Sequence, residues 1–458
     1  MPVLALAGLL AGCGGAVTSW GPEAAEDGDP SDEVEEYALE AGESTQDWGF
    51  GDTPAWTYNG QSPGPLLQTT LGHTLRVQLE NDLPDQDTTI HWHGLRVPND
   101  QDGVTWVQQP LAPGDRFTYE FTPPDAGTYW YHPHVNSPEQ IERGLYGPLV
   151  VLDPDDPEVG TDRVLVLDDV DLEPDGTIAP FNADESAINS LWGRYGNVLL
   201  LNGQSVLDGP VRASADSGRV ERWRLVNATN ARAFTLRVDG ADWRLIAEDG
   251  GRITAPQQLD QLTLISGERL ELEVLPGRED VTLTLLIQPP DGEPIEYPAF
   301  VATADHRRDP AEPLDWPAPT LPDLEEPQQE ITLNFTGEEG DGNVMTWMIN
   351  GQAWMDCEDH MGGDMIPLEQ DTPTRITLVN DSDVDHPFHL HGQLVQIVSV
   401  DGEAPAWRGQ RDTVLVAAGQ TVVLYSLMDN PGMWMAHCHI LEHVARGMMT
   451  AFEVGETP

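Results

Sequence analysis

Four pairs of histidines, each pair separated by a single residue, are the most constraining feature of this 458-residue chain. The pairs are His91 and His93, His132 and His134, His389 and His391, and His437 and His439. In a β-strand, residues i and i+2 point to the same face, so each pair directs two imidazoles the same way. Eight imidazoles are more than one metal ion can use, and they suit three ions as two sets of three and one set of two. The pattern predicts a metal cluster built on strands.

A second metal site is predicted where a cysteine stands between two of these histidines, in "HCHILEHVARGM" (437–448). Strand alternation turns Cys438 away from the histidines on either side, so its thiolate can bind a separate ion. His443 and Met448 follow it, and His386 begins "HPFHLHG" (386–392) outside the paired histidines. Thiolate, imidazole and a weak axial thioether form a soft ligand set that suits copper.

The charge of the chain excludes one class of partner. It carries 78 acidic residues against 22 basic ones, all of them arginine, for a net charge of −56. Nucleic-acid binding needs a basic surface, so we expect no nucleic-acid partner. A surface this acidic attracts cations, including metal ions. The alternative is that the charge serves solubility in a salty medium.

The N-terminal residues predict export and a lipid anchor. "LAGC" (10–13) resembles the lipobox of bacterial lipoproteins, which predicts a signal peptide at 1–12 and a lipid on Cys13. Residues 13–47 are rich in acids and poor in apolar groups, so we expect a disordered tether there. The protein is then expected in the cell envelope or periplasm, anchored to a bacterial membrane.

Composition along the chain predicts three β-sandwiches. Stretches rich in Pro, Asp and Glu at 153–162 and 306–330 read as boundaries, which leaves domains at 48–155, 160–305 and 331–458 with a linker at 306–330. All three contain short alternating runs typical of strands. "YNGQSPGP" (58–65), "LNGQSVLDGP" (201–210) and "INGQAW" (349–354) form a weak internal repeat. We therefore predict an all-β protein with three sandwiches of one kind.

Four motifs carry a family resemblance. "HWHG" (91–94), "HPH" (132–134), "HPFHLHG" (386–392) and "HCHILEHVARGM" (437–448) resemble the copper motifs of the multicopper oxidases, in the same order. The resemblance covers about residues 48–458. It implies three cupredoxin-like Greek-key domains, with copper in the first and third. Residues 135–305 contain no histidine, which agrees.

The resemblance also implies four copper ions and their ligands. The type 1 copper takes His386, Cys438, His443 and axial Met448; the type 2 copper takes His91 and His389; one type 3 copper takes His93, His132 and His439, and the other takes His134, His391 and His437. In the family, type 1 copper accepts single electrons from a reductant. Because Cys438 shares its backbone with His437 and His439, electrons have a short covalent route to the three-copper cluster, where four of them reduce O2 to two waters.

Asp102 is expected to deliver protons for oxygen reduction, because it matches an aspartate with that role in the family. The alternative is a solvated turn residue in "NDQDG" (99–103). Many bacterial relatives carry a glutamate directly after the histidine aligned with His443. Here that position is Val444, which puts a second proton route in doubt, and Glu442 is not expected to replace it.

A further set of soft donors is concentrated at 355–365. Met355, Cys357, His360, Met361 and Met365 stand close together there. Methionine and cysteine suit Cu(I), so the segment is a candidate site for Cu(I) as a substrate. The alternative is that these methionines fill the core of the third domain.

Three functions fit these features, with O2 and a reductant as partners and a monomeric protein. A laccase-like enzyme oxidises phenol-like organic reductants. A metallo-oxidase instead takes electrons from Cu(I) in copper detoxification. A copper carrier is not an enzyme and needs no three-copper cluster, so the complete ligand set argues against it. We predict the laccase-like enzyme, with the metallo-oxidase as the alternative.

Overall fold

A computed structural model describes residues 33–181, 187–288, 293–304, 308–354 and 365–455. Within these ranges the chain forms 30 strands, three short α-helices and two single-turn 3-10 helices at Asn99–Gln101 and Asp341–Asn343. The predicted all-β class is confirmed. No helix in the described ranges has the length and apolar character needed to cross a membrane.

The first third of the chain forms two four-stranded sheets. The elements are β1 (Val34–Asp47), β2 (Asp52–Tyr58), β3 (Leu67–Thr70), β4 (Thr74–Asp82), β5 (His91–His93), β6 (Arg116–Phe121), β7 (Gly127–His132), α1 (Ser137–Glu142) and β8 (Gly147–Leu152). The strand orders are β2-β1-β4-β6 and β3-β8-β7-β5.

The middle of the chain forms a seven-stranded and a five-stranded sheet. The elements are β9 (Thr161–Val170), α2 (Ala187–Trp192), β10 (Val198–Leu201), β11 (Gln204–Ser205), β12 (Val211–Ala215), β13 (Glu221–Asn227), β14 (Phe234–Asp239), β15 (Asp242–Glu248), β16 (Gly251–Gln257), β17 (Leu262–Leu264), β18 (Arg269–Leu275), β19 (Val281–Ile287) and β20 (Ile295–Ala304). The strand orders are β11-β10-β9-β13-β18-β15-β16 and β12-β20-β19-β14-β17.

The last third forms two five-stranded sheets. The elements are β21 (Gln329–Glu339), β22 (Met345–Ile349), β23 (Ile366–Glu369), β24 (Thr374–Asn380), β25 (His386–Leu390), β26 (Gln396–Val400), β27 (Thr413–Val416), β28 (Thr421–Ser426), β29 (Gly432–Cys438), α3 (Leu441–Val444) and β30 (Met449–Gly455). The strand orders are β22-β21-β24-β28-β26 and β23-β30-β29-β25-β27.

Each pair of sheets encloses its own hydrophobic core, as a β-sandwich does. In the first sandwich, Val77 of β4 and Trp92 of β5 come from opposite sheets and belong to one buried cluster. Trp223 and Phe300 do the same in the second sandwich, and their rings meet edge to face at 5.3 Å. The third core also holds Cys438 and Met448.

The weak sequence repeat corresponds to one structural unit used three times. The strand pairs β1 and β4, β9 and β13, and β21 and β24 are each parallel. In each unit an asparagine with positive φ, namely Asn59, Asn202 or Asn350, accepts a hydrogen bond from one backbone N–H of the first strand. Its Nδ2 donates to a carbonyl two residues earlier in that strand. The Asn-Gly turn thus fastens the same strand in all three sandwiches.

The predicted disordered tether is wrong for its second half. Residues 34–47 form β1, which pairs with β2 and with β4. Tyr37, Leu39 and Ala41 alternate into the first core, and Glu36, Glu40 and Glu43 of the same strand are exposed. Period-two burial explains how so acidic a stretch is ordered. The first sandwich therefore begins at 34 rather than 48, and residues 13–32 lie outside the described residues.

The predicted linker crosses between sandwiches without a strand or helix over residues 308–328. Trp316 is buried there and its indole N–H donates to Glu273 at 3.0 Å. The independence of the three sandwiches as domains stays a prediction.

Candidate metal centre

The sheets bring the four histidine pairs together. In the first sandwich β5 and β7 are antiparallel neighbours, with His91 opposite His132. In the third sandwich β25 and β29 are neighbours in the same way, with His389 opposite His437. The histidines of these two strand pairs are in contact: Nε2 of His91 lies 3.4 Å from Nε2 of His389. The cluster therefore lies between the first and third sandwiches.

Three overlapping groups of histidine in the cluster have ligand atoms within 4.8 Å of one another. They are His91, His389 and His391; His91, His93 and His132; and His134, His391 and His437. His439 joins from the side, with its ring centroid 5.0 Å from that of His93 and 5.9 Å from that of His132. Every imidazole in the four predicted pairs therefore contributes to one cluster.

Hydrogen bonds fix which nitrogen of most rings faces the cluster. The Nδ1 atoms of five histidines point outward to oxygen atoms: His91 to Asp102 O (3.0 Å), His132 to Pro133 O (3.0 Å), His389 to Asp412 O (3.1 Å), His437 to Cys438 O (2.8 Å) and His391 to Asp102 Oδ2 (2.9 Å). An Nδ1–H that donates outward leaves a lone pair on the inward Nε2. His93 is reversed, because its Nε2 lies 3.1 Å from Thr413 Oγ1 and its Nδ1 faces the cluster.

Burial sets the charge state of these rings. It lowers the pKa of His93, His132 and His391 well below the usual range, and neighbouring imidazoles lower it further. Burial also lowers the pKa of His437 to about 3. Neutral imidazole is the form that binds metal ions. Nε2 of His439 is buried without a hydrogen-bond partner among the described residues, which is costly unless it serves as a ligand. The residues therefore fit a resident metal cluster.

The second predicted site surrounds the thiol of Cys438. Its Sγ lies 3.5 Å from Nδ1 of His386 and 3.6 Å from Nδ1 of His443, and these two nitrogens are 3.3 Å apart. All three side chains are buried. Burial raises the pKa of the Cys438 thiol, so a bound metal ion must displace its proton. Two nitrogens and one sulfur in a small triangle match a copper site for electron transfer.

Met448 lies in the same core as this second site, and two outer contacts orient the histidines of the site. Met448 is fully buried in the same core as Cys438, and its carbonyl accepts a hydrogen bond from the Cys438 N–H at 3.1 Å. Nε2 of His386 lies 2.9 Å from Ser382 Oγ, and Nε2 of His443 lies 3.1 Å from the carbonyl oxygen of Leu191. The contacts leave Nδ1 of each histidine directed at the sulfur.

Comparison with known proteins identifies the family. Sequence models of the multicopper oxidases match residues 43–156, 178–276 and 323–458. Multicopper oxidase MmcO of Mycobacterium tuberculosis is 30% identical over 442 residues, which cover 87% of this chain and 82% of that protein. The chain belongs to the multicopper oxidase family. It is a copper-dependent oxidoreductase that uses O2.

Relatives of this multicopper oxidase carry two functional names. A laccase of Phlebia radiata is 29% identical over 463 residues, covering 86% of this chain and 84% of the laccase. A Campylobacter jejuni structure described as a metallo-oxidase matches with a TM-score of 0.82 at 27% identity, covering 95% of this chain and 94% of that one. Both functional names therefore occur among relatives of similar identity to this oxidase.

Asp102 of this multicopper oxidase is not the solvated turn residue of the alternative interpretation. Its side chain is fully buried, and Oδ2 lies 2.9 Å from Nδ1 of His391. Oδ1 lies 3.2 Å from Nδ1 of His91. The carboxylate therefore contacts two rings of the histidine cluster.

Three residues around the cluster were missed by sequence reasoning. Asp412 Oδ1 lies 3.2 Å from His93 Nε2 and 3.3 Å from His389 Nδ1. Burial opposes ionisation of Asp412, but the guanidinium of Arg269 outweighs it and holds the pKa well below its usual range. Ser266 is the third, with Oγ 3.0 Å from His439 Nδ1. The sequence offers no local pattern for Ser266 or Arg269, because both come from the sandwich without histidines.

Glu442 does not face the histidine cluster, as expected. Its carboxylate accepts hydrogen bonds from the backbone N–H of Arg194 and from Nδ2 of Asn230, both in the second sandwich. Val444, at the position where relatives carry a glutamate, is buried in an apolar cluster with Trp354 and Met435.

Most of the proposed Cu(I) segment lies outside the described residues. This applies to Met355, Cys357, His360 and Met361. Met365 is described, and it packs half-buried against the apolar cluster of Trp354, Met435 and Val444. This placement agrees with the alternative interpretation, core packing, for Met365.

Proposed function

We propose that this multicopper oxidase is laccase-like: it couples one-electron oxidation of a phenol-like organic reductant to four-electron reduction of O2 to two waters. The ligand assignment is the one implied by the family resemblance. His386, Cys438, His443 and Met448 would hold a type 1 copper, and the eight paired histidines would hold one type 2 and two type 3 coppers. Bound copper would supply the one-electron redox chemistry at the first site and oxygen chemistry at the second.

The chain provides a direct connection between the two sites. The thiol of Cys438 points into the core of the third sandwich, whereas His437 and His439 on either side belong to the histidine cluster. Electrons leaving the sulfur site therefore have a route of covalent bonds through two adjacent residues. The burial of Asp102 against His91 and His391 supports its proposed role in supplying protons to the oxygen site.

The observation that supports the choice of reductant is a set of exposed apolar side chains in α2 and just after it, the helix whose Leu191 contacts His443. Ile188, Trp192 and Tyr195 are 71%, 48% and 45% exposed, although large apolar side chains are usually covered. Leu191 lies among them, and its carbonyl oxygen is 3.1 Å from Nε2 of His443. An aromatic reductant stacked on Trp192 would be connected to His443 through the Leu191–Trp192 peptide and this one hydrogen bond. A hydrated metal ion gains little from such a surface.

Steady-state kinetics under air test the proposal. The oxidation rates of a phenol and of Cu(I) are measured, each with and without added Cu(II). We expect Trp192→Ala to raise KM for the phenol and to leave Cu(I) oxidation unchanged. Phe50→Ala is the matched control, because Phe50 is 55% exposed and far along the chain from the proposed surface. An unchanged phenol KM in Trp192→Ala would remove the support for this docking surface.

A different variant tests the metallo-oxidase alternative. Replacing Met355, Cys357, Met361 and Met365 by serine removes the soft donors at 355–365. If Cu(I) is the reductant, its oxidation falls at least about tenfold, equivalent to a loss of more than about 1 kcal/mol, and phenol oxidation changes little. Under the laccase-like proposal, both activities stay near those of the parent protein.

We also propose that the protein is an exported monomer, anchored in the cell envelope by a lipid on Cys13. The support is the lipobox-like "LAGC" (10–13) and the acidic residues that follow it. Cys13→Ala would release the protein from the membrane fraction. Retention of that variant with the membranes would contradict the anchor.

A further inference from the structure

The second sandwich, which holds none of the proposed copper ligands, sends one loop into the histidine cluster. The loop joins β17 to β18 and contains Ser266, Gly267 and Glu268, and Arg269 follows it as the first residue of β18. The side chains of Ser266 and Arg269 are fully buried, and each makes a polar contact that leads to a cluster histidine.

Ser266 determines the tautomer of His439. Its hydroxyl lies 2.5 Å from the carbonyl oxygen of Thr229, to which it donates its single hydrogen. The same Oγ lies 3.0 Å from Nδ1 of His439, so it must accept a hydrogen bond from that nitrogen. A proton held on Nδ1 leaves the lone pair of His439 on Nε2, the atom that is buried without a protein partner in the described chain.

Gly267 allows this close approach. Its φ is +85°, and a Cβ built there would lie 2.8 Å from Cδ2 and 3.0 Å from Nε2 of the His439 ring. Its carbonyl oxygen accepts a hydrogen bond from the indole of Trp130 at 3.3 Å, which ties the loop to the first sandwich. Only glycine lets the backbone lie against the ring in this conformation.

Arg269 reaches two further histidines through one carboxylate. Its Nη1 and Nη2 donate to the two oxygens of Asp412 at 2.7 and 2.6 Å, and its Nε donates to the carbonyl of Thr128 at 3.0 Å. Asp412 Oδ1 in turn contacts His93 and His389, which come from different sandwiches. A bidentate ion pair fixes the plane of the Asp412 carboxylate. Because Asp412 contacts His93 and His389, Arg269 thereby restrains the orientation of both imidazole rings.

We propose that this loop, together with Arg269 at the start of β18, is the positioning element of the oxygen-reducing copper cluster. Ser266 selects the nitrogen with which His439 binds copper, and Arg269 aligns His93 and His389 through Asp412. The inference rests on the proposed ligand set, in which His93 and His439 bind a type 3 copper and His389 binds the type 2 copper. A sandwich without copper ligands would thereby control the geometry of the cluster in the other two.

Ser266→Ala tests the first half of the proposal. The purified, copper-loaded variant is compared with the parent for copper content, visible spectrum and electron paramagnetic resonance (EPR). We expect the blue colour of the Cys438 site to be retained. We also expect loss of the EPR-silent coupled pair, seen as additional EPR-detectable copper or as missing copper. Ser217→Ala is the matched control, since Ser217 is equally buried in the same sandwich and its hydroxyl has no hydrogen-bond partner within the described ranges.

Arg269→Lys tests the second half, because lysine keeps the charge but loses the bidentate geometry. We expect copper at the cluster to be bound at least about tenfold more weakly in competition with a chelator, as for other residues that orient metal ligands. The type 2 EPR signal should change as well. Arg163→Lys is the matched control: Arg163 is a buried arginine of the same sandwich, paired with both oxygens of Glu221 at 2.8 and 2.9 Å.

The two proposals fail in different ways. A parent protein that binds no copper at the cluster would refute the ligand set itself. A parent protein with a complete cluster, together with Ser266→Ala and Arg269→Lys variants whose copper affinity and EPR spectra match those of their controls, would overturn the positioning role alone. If Arg269→Lys does not fold, the Ser266→Ala comparison decides.

Discussion

Cys438 is the residue at which the two parts of the metal centre meet. Its side chain is buried between His386 and His443 in the third core, whereas the rings of the residues on either side belong to the cluster between sandwiches. This separation of neighbouring side chains is a direct consequence of strand alternation in β29. Each site can therefore be removed without touching the ligands of the other.

We expect Cys438→Ser to abolish the blue colour of the copper-loaded protein, because charge transfer from thiolate to copper is its source. His134→Ala should keep the colour and abolish O2 reduction, since it removes a ligand from the cluster only. Visible absorption and oxygen uptake measure the two effects. A blue Cys438→Ser protein would show that the sulfur site is elsewhere.

Asp102→Asn keeps the shape of the buried side chain but removes its ability to carry a proton as a carboxylate. We expect slower O2 reduction, by about 10²-fold or more, as for loss of a general acid or base. Reduction of the sulfur site under anaerobic conditions should be unchanged. Stopped-flow measurement of the two half-reactions separates the effects, and an equal loss in both would mean that Asp102 is structural.

The predictable part of the site follows from local geometry. The two-residue spacing of His91 and His93, or of His437 and His439, directs both rings of the pair to one face of a strand. This holds however the strand packs in the fold. Ser266 and Arg269 could not be predicted in this way, because their contacts depend on how the second sandwich docks against the other two. Asp412 carried a weak signal only, as one acidic residue among 78 acidic residues.

At the scale of single elements, β1 shows how composition conceals a strand. Acidic side chains occupy its outward positions, and few apolar residues are needed for the inward ones. Other strands, such as β4 and β24, show the same alternation with larger apolar residues at the inward positions. Mean composition suggested disorder for β1, and the period-two pattern was the better guide.

Leu39→Ala tests the structural role of β1. Leu39 is 1% exposed in the first core, so we expect the first sandwich to lose about 2 to 5 kcal/mol of its free energy of unfolding. Glu40→Ala is the control, because the neighbouring side chain faces solvent. Chemical denaturation measures the stability of both variants. Equal denaturation midpoints for Leu39→Ala and Glu40→Ala would mean that residues 34–47 are a tether and not part of the first core.

At the scale of the whole molecule, the net charge of −56 is expected to govern encounter with charged reductants. Raising the salt concentration from about 0.01 M to 1 M shortens the screening length from about 30 Å to 3 Å. We expect KM to rise with salt for a cationic aromatic reductant and to fall for an anionic one. Matched reductants assayed across this range provide the measurement, and identical salt dependence would exclude a steering role for the surface.

The placement of the two sites makes them reporters of different stages of assembly. His386, Cys438, His443 and Met448 all belong to the third sandwich, whereas the histidine cluster needs His91 from the first and His389 from the third. Under the proposed ligand set, a newly made chain could turn blue once the third sandwich has folded against α2, whose Leu191 contacts His443. It could consume oxygen only after distant parts of the chain have docked. Blue absorption without O2 consumption would then identify a molecule whose third sandwich has folded but whose histidine cluster has not yet assembled.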